Sequence, residues 1–150
     1  MNAIAGGTLL DHALLRRSAE LYAAGADRRD KALWREVLAE DCLIEGPGFA
    51  IRGREANLGS IDHLAAMFRA TVHRVHNQLA TIDGDRAAGE TYCTADHLQA
   101  DGTILSWSIR YQDEWRKNDG AWRFTRRQLI VDWEEIRHVT VRGPEKELTR

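Results

Sequence analysis

The sequence predicts an α+β domain in which helices cover the concave face of a long, curved, mostly antiparallel sheet. Three Asp-Gly pairs, at 83–84, 101–102 and 119–120, recur at a step of 18 residues, with apolar and polar residues alternating between them. Asp-Gly suits tight hairpin turns, because Gly tolerates positive φ and Asp can bond its own backbone. The first half of the chain has helical periodicity instead. Helices followed by a run of strands are typical of helices packed on one face of a sheet.

Three helices and a small hairpin are predicted before the strand run. They are a helix over about 9–26, a helix from 30 to about 40, a hairpin with strands 42–45 and 49–51, and a helix over about 60–70. Thr8 and Asp11 have the spacing of a capping box, while Asp30 and Ser60 can cap the other two helices. Gly and Pro at 46–48 indicate the hairpin turn.

The Asp-Gly turns separate four long strands of an antiparallel meander. These strands lie near 72–82, 86–99, 104–117 and 122–133. At about 3.3 Å per residue they are longer than most, and a sheet that long twists strongly and tends to curl. We therefore expect a concave face that the N-terminal helices fill.

Composition limits the classes of protein and of partner. A chain of 150 residues is sufficient for one domain, with a core over about 8–138 and a polar tail at 143–150. The net charge of -2 gives no electrostatic footprint for nucleic acid or an anionic membrane. The chain has neither an 18-residue apolar run nor a signal peptide pattern, so we expect a cytoplasmic protein. Cys42 and Cys93 lack metal-type spacing and are interpreted as buried reduced thiols.

Alternation along the strands predicts which side chains face the helices. The inward set is His73, Val75, Asn77 and Leu79 in the first strand, Thr91, Cys93, Ala95 and His97 in the second, and Trp107, Ile109 and Tyr111 in the third. In the fourth strand either the set of Arg127, Leu129, Val131 and Trp133 or its neighbours could face inward. A large apolar lining with a few polar groups describes a small-molecule pocket. The candidate substrate-binding residues are Asn77, Cys93, His97, Trp107, Ile109 and Tyr111.

An acid-base pair is predicted between the first helix and the first meander strand. Tyr22 and Asp27 lie near the end of the helix, roughly 140° apart around its axis. A desolvated carboxylate needs a donor or a cation, so an Asp near an inward His suggests a pair. Asp27 would fix the tautomer of His73 and raise its basicity, making His73 a general base near neutral pH.

Four segments form a wider pattern. They are Leu21-Tyr22 with Asp27-Arg28-Arg29-Asp30, Val72-His73 with Asn77, Ile82-Asp83-Gly84-Asp85, and Asp119-Gly120 with Trp122, Phe124 and Arg127. Over roughly residues 10–135 this pattern resembles the SnoaL-like group of the nuclear transport factor two-like superfamily. Within that group it is most similar to the scytalone dehydratases, bile-acid 7α-dehydratases and hexachlorocyclohexane dehydrochlorinases.

The resemblance implies a cone-shaped α+β fold, cofactor-free lyase chemistry and a trimeric assembly. It assigns Asp27 and His73 to a catalytic dyad, Tyr22 to a tyrosine of the bile-acid enzymes, and Arg127 to a pocket arginine. His97 is similar in place to a second histidine of the scytalone dehydratases. The dehydrochlorinases have Lys where this chain has Tyr22, so the identity of a substrate is not implied.

The sequence therefore predicts a dehydratase that acts on a hydrophobic cyclic substrate without a cofactor or metal. Asp27, His73, Tyr22 and Arg127 are its catalytic candidates. The alternatives are an isomerase or polyketide cyclase with the same dyad, or a non-catalytic module like a dioxygenase β subunit. The individual residues also have structural interpretations, such as a helix-core Tyr22 or an Arg127 paired with a carboxylate. The other histidines are expected to face solvent: His12, His63, His76 and His138.

Overall fold

The computed structural model describes residues 6–143, which form three helices and a six-stranded mixed sheet. The elements are α1 (Leu9–Arg28), α2 (Lys31–Val37), β1 (Leu38–Gly46), β2 (Phe49–Arg52), α3 (Arg54–Met67), β3 (Ala70–Asp83), β4 (Arg86–Leu98), β5 (Thr103–Asn118) and β6 (Ala121–His138). This α+β architecture confirms the predicted fold class. The expected polar tail lies, apart from Gly143, outside the described residues.

The sheet has the strand order β2-β1-β6-β5-β4-β3. β3 to β6 form the predicted antiparallel meander. β1 pairs parallel with β6, the edge strand of that meander. Gly84, Gly102 and Gly120 have φ values of 59°, 83° and 76° at the three reversals. These left-handed conformations are the reason why glycine follows aspartate at each turn.

The starts of two helices agree with the sequence, and the start of the third differs. Thr8 and Asp11 form the capping box of α1, and the Asp30 side chain accepts a hydrogen bond from Ala32 N at the start of α2. The prediction that Ser60 caps α3 is wrong. This helix begins at Arg54 after Gly53. Leu58 and Ile61 are both buried and lie one turn apart on one face of the helix, so its inward face starts before Ser60.

Extra residues interrupt the alternation of two long strands. In β3 the pairing with β4 shifts between Val75 and Gln78, so two residues of β3 lie opposite one of β4. In β6 the pairing with β5 shifts twice, where Thr125 and Asp132 are the extra residues. Each such bulge exchanges the two faces for the residues that follow it.

The core lies between the helices and the inward face of the sheet. Leu15 and Ala26 of α1 are buried in it together with Trp115 and Phe124 of the sheet. Gly25 lets α2 approach α1 closely, because a Cβ atom there would lie 2.4 Å from Cδ1 of Trp34. No helix in the described part of the chain is long and apolar enough to cross a membrane.

Candidate active site

A cavity of about 790 Å³ opens between the helices and the inward face of the sheet. This volume lies within the range of small-molecule sites, about 300–1,000 Å³. Most lining side chains are apolar or aromatic and come from all three helices, the β1–β2 hairpin and the meander. The polar side chains of the lining are Tyr22, Ser60, His63, His73, His97, Tyr111 and Glu134.

His73 and Asp27 form the hydrogen-bonded pair that the sequence predicts. Nδ1 of His73 lies 2.6 Å from Oδ1 of Asp27, and the backbone N–H of His73 donates to Oδ2 at 2.8 Å. Because a carboxylate accepts, Nδ1 is the donor of this contact, and Nε2 is the ring nitrogen that remains for a bound molecule. The His73 side chain is only 8% exposed and lines the cavity.

Thr71 bonds the same oxygen of the Asp27 carboxylate as His73 and connects it to Arg29. The Thr71 hydroxyl donates to Oδ1 of Asp27 at 3.1 Å and accepts from Nη1 of Arg29 at 3.0 Å. Arg29 ends α1 in a left-handed conformation with φ of 54°. Burial lowers the pKa of its guanidinium, and the charge of Asp27 opposes that shift. The backbone N–H of His73, Thr71 and Arg29 together fix the orientation of the carboxylate.

His97 is a second, neutral imidazole on the cavity wall. Its Nδ1 lies 2.9 Å from the carbonyl oxygen of Leu105, so Nδ1 carries a proton and Nε2 can accept a hydrogen bond. Burial lowers its pKa below the ordinary value of 6.5, which favours the neutral form. Its ring packs between Phe68 and Trp107, and the ring centroid lies 6.1 Å from that of His73.

Tyr22 lines the same cavity and keeps its hydroxyl group protonated. Its ring stacks on Trp34 at a centroid distance of 4.4 Å and meets Tyr111 edge to face at 6.1 Å. Burial raises the pKa of Tyr22 well above its ordinary value, so the phenol remains a hydrogen-bond donor at neutral pH. Tyr22 therefore has both of its predicted features, a helix-core ring and a position in the cavity lining.

The profile of the SnoaL-like domain family matches residues 7–128, which is most of the chain. The chain belongs to the SnoaL-like domain family. This agrees with the resemblance that the sequence motifs indicate. No curated protein sequence matches this SnoaL-like chain.

Solved structures share its fold. A putative scytalone dehydratase from Novosphingobium aromaticivorans is 24% identical, with a TM-score of 0.78 over 91% of this chain and 93% of that chain. A hexachlorocyclohexane dehydrochlorinase, LinA-type3 from Novosphingobium barchaimii, is 16% identical, with a TM-score of 0.81 over 91% and 96%. A variant of the function-unknown protein Rv3472 from Mycobacterium tuberculosis is 30% identical, with a TM-score of 0.75 over 82% and 72%.

Arg127 faces inward in this SnoaL-like domain but does not line the cavity. Its side chain is 1% exposed and forms two hydrogen bonds to Asp113, at 2.8 and 3.1 Å. The guanidinium lies 3.7 Å from the ring centroid of Tyr111 and 4.4 Å from that of Tyr22. Burial is the largest single influence and would lower its pKa, but the charge and hydrogen bonds of Asp113, together with the neighbouring tyrosines, raise the pKa. The structure thus corrects the expected contact with substrate: Arg127 supports the two tyrosine rings from beneath the cavity.

Asn77 and Leu79 lie away from their predicted inward positions, and Trp133 does not face inward, a direction that the sequence left open. Asn77 is exposed and Leu79 is 76% exposed, because the bulge in β3 reverses the faces after Val75. Trp133 is 69% exposed, because Asp132 is an extra residue in β6. Asn77 and Trp133 therefore do not line the cavity.

Cys93 is buried in the core, outside the cavity lining. Burial raises the pKa of its thiol to about 12, as it does for Cys42. Both cysteines are free, as predicted. Among residues 6–143 no group of three or more His, Cys, Asp or Glu side chains could hold a metal ion.

Glu134 lines the cavity and was not found by alternation. The bulge at Asp132 places it opposite Trp107, whose indole Nε1 donates to Oε2 of Glu134 at 2.9 Å. Period-two patterning places Trp133 at this position instead, and nothing in the local sequence marks the extra residue. His63 is exposed, as predicted, and also lies on the cavity lining.

Proposed function

We propose that this single-domain protein is a cofactor-independent dehydratase that acts on a hydrophobic cyclic molecule of steroid, terpenoid or polyketide type. The observation that carries the proposal is the 2.6 Å contact between His73 Nδ1 and Asp27 Oδ1 at the wall of a large apolar cavity. Family membership supports lyase-type or isomerase-type activity. The named dehydratase and dehydrochlorinase of the same fold favour the elimination of a leaving group.

The reaction begins with proton abstraction by Nε2 of His73 from a carbon beside an activating carbonyl group. The carbon-hydrogen bond breaks and its electron pair forms the new double bond as the hydroxyl group departs. His73 returns its proton to that hydroxyl group, so one water molecule leaves and the imidazole is neutral again. Asp27 stabilises the transient imidazolium through the Nδ1 hydrogen bond.

Two further side chains suit the developing charges. The Tyr22 hydroxyl donates a hydrogen bond to the carbonyl oxygen, where negative charge grows during abstraction. His97 Nε2 accepts a hydrogen bond from a hydroxyl group of the substrate. Arg127 acts only through the tyrosine rings that it supports, because its guanidinium is paired with Asp113 below them.

The proposal is tested with a panel of hydroxylated steroids and aromatic ketones. Mass spectrometry should detect the loss of one water from at least one of them with the wild-type protein. His73→Ala and Asp27→Asn should fold normally and abolish that loss, whereas His76→Ala, an exposed histidine of the same strand, should retain it. Near-full activity in either dyad variant would refute the mechanism.

A homo-oligomer, with a trimer favoured by the family resemblance, is part of the proposal, as is a cytoplasmic location. Light scattering after size exclusion measures the mass directly. A monomer at micromolar concentration would argue against the oligomer while leaving the catalytic proposal in place.

A further inference from the structure

Glu134 lies in the same row across the sheet as the catalytic histidine. His73 pairs with Ala95, Ala95 with Trp107, and Trp107 with Glu134 in the successive strands of the meander. Residues that are paired in this way point to the same face of a sheet. With strands about 4.8 Å apart, three steps separate His73 from Glu134 by roughly 14 Å along the sheet. Both side chains line the same cavity.

The Trp107 indole fixes the Glu134 carboxylate and leaves part of it free. Trp107 Nε1 donates to Oε2 at 2.9 Å, and its ring packs against His97. Within the described residues, the structure gives Oε1 no hydrogen bond or ion pair. This oxygen is therefore available as an acceptor for a bound molecule.

Glu134 also sets the charge of the cavity. It is the only Asp, Glu, Lys or Arg side chain among the lining residues of the described chain. Arg127, a buried cation on the inward face, is neutralised by Asp113. Glu134 is itself exposed while it lines the cavity, so an anionic group of a ligand beside it would meet like charge at short range, weakened by solvent.

From this arrangement we propose that Glu134 recognises a hydrogen-bond donor, a hydroxyl or an ammonium group, at the end of the ligand remote from His73. The ligand is a polycyclic molecule without a carboxylate at that end, long enough to reach from one polar group to the other. The inference rests on the proposed function for the location of the reacting end. It adds the chemical class of the ligand group at the end remote from His73. Neither the Asp27–His73 pair nor the family resemblance indicates what that group is.

The test uses three polycyclic ketones that lack a leaving group and differ only at the end remote from the ketone. That end carries a hydroxyl, an amine or a carboxylate group. Binding is measured by quenching of tryptophan fluorescence, since Trp34 and Trp107 line the cavity. Because these ligands cannot be dehydrated, the affinities are independent of turnover, and a failed activity assay leaves the result unaffected.

The wild-type protein should bind the hydroxyl and amine ligands at least about tenfold more tightly than the carboxylate ligand. Glu134→Gln removes the charge but keeps the size, and should abolish most of this preference. Glu134→Ala should do the same, while thermal melting checks that both variants fold. The matched control is Glu135→Gln, because Glu135 is exposed and pairs with Arg137 instead. An unchanged preference in the Glu134 variants, or no binding of any of the three ligands, would overturn the proposal.

Discussion

The imidazole of His73 and the carboxylate of Asp27 are joined by a 2.6 Å contact between Nδ1 and Oδ1, although they are 46 positions apart in the chain. The second carboxylate oxygen accepts from the backbone N–H of the same histidine at 2.8 Å. One carboxylate thus fixes both the ring and the strand that carries it. Such double attachment restricts the histidine to one orientation, with Nε2 as its available basic atom.

Thr71→Val should slow catalysis without unfolding the protein. The change removes the hydroxyl group that donates to Asp27 and accepts from Arg29. Misorientation of the carboxylate should lower kcat by about tenfold or more with little change in KM. Thr71→Ser should restore the rate, and Thr94→Val should have no effect, since Thr94 bonds the exposed His76. Steady-state kinetics on the four proteins provides the check, and an unaltered kcat in Thr71→Val would exclude this positioning role.

Asp113→Asn should destabilise the fold strongly. It leaves the Arg127 guanidinium buried without its counter-charge beneath Tyr111. Removing one partner of a buried pair costs about 3–5 kcal/mol in the free energy of unfolding. Asp62→Asn, which breaks the exposed pair with Lys31, should cost less than about 1 kcal/mol. Urea unfolding compares the two variants, and equal midpoints would show that the Arg127 pair is not structural.

Stability should fall at acid pH through His97. Burial lowers its pKa in the folded protein below the ordinary 6.5, so the unfolded chain binds a proton more readily. The stabilisation is present above about pH 6.5 and is lost as the pH falls through the lowered pKa of the folded state. His97→Asn, whose amide can still donate to Leu105, should make the free energy of unfolding depend less on pH in this range. His138→Asn, at an exposed position, should not.

Urea midpoints measured between pH 5 and pH 8 test the contribution of His97. The wild-type and His138→Asn proteins should lose stability together towards pH 5. His97→Asn should lose less over the same interval. Parallel curves for all three proteins would contradict the assignment of this pH dependence to His97.

The sequence was a good guide to the site wherever strand alternation runs without interruption. His97, Trp107 and Ile109 lie where β4 and β5 pair in regular register, and all three line the cavity as predicted. The predicted inward face of Asn77 is wrong because β3 contains an extra residue. The extra residue Asp132 in β6 turns Trp133 away from the inward face on which Leu129 and Val131 lie. A bulge depends on pairing with the neighbouring strand, and one strand alone does not encode it.

Arg127 illustrates a second limit of sequence reasoning. The sequence allowed it to face inward, and it does. The burial of Arg127 below the cavity depends on Asp113, which lies directly opposite on β5. Strand alternation alone did not identify Asp113 as its partner. The contact between Asp27 and His73 was easier to predict, because a carboxylate at a helix end and an inward histidine each belong to a regular element.

Deuterium exchange tests the central claim, that His73 is the base, without requiring knowledge of the leaving group. A polycyclic ketone that the protein binds is incubated in deuterated water, and NMR follows the protons on the carbons beside the carbonyl. Wild-type protein should catalyse incorporation of deuterium at one of these carbons, and His73→Gln and Asp27→Asn should reduce the rate by at least about 100-fold. Exchange at the wild-type rate in His73→Gln would contradict the account.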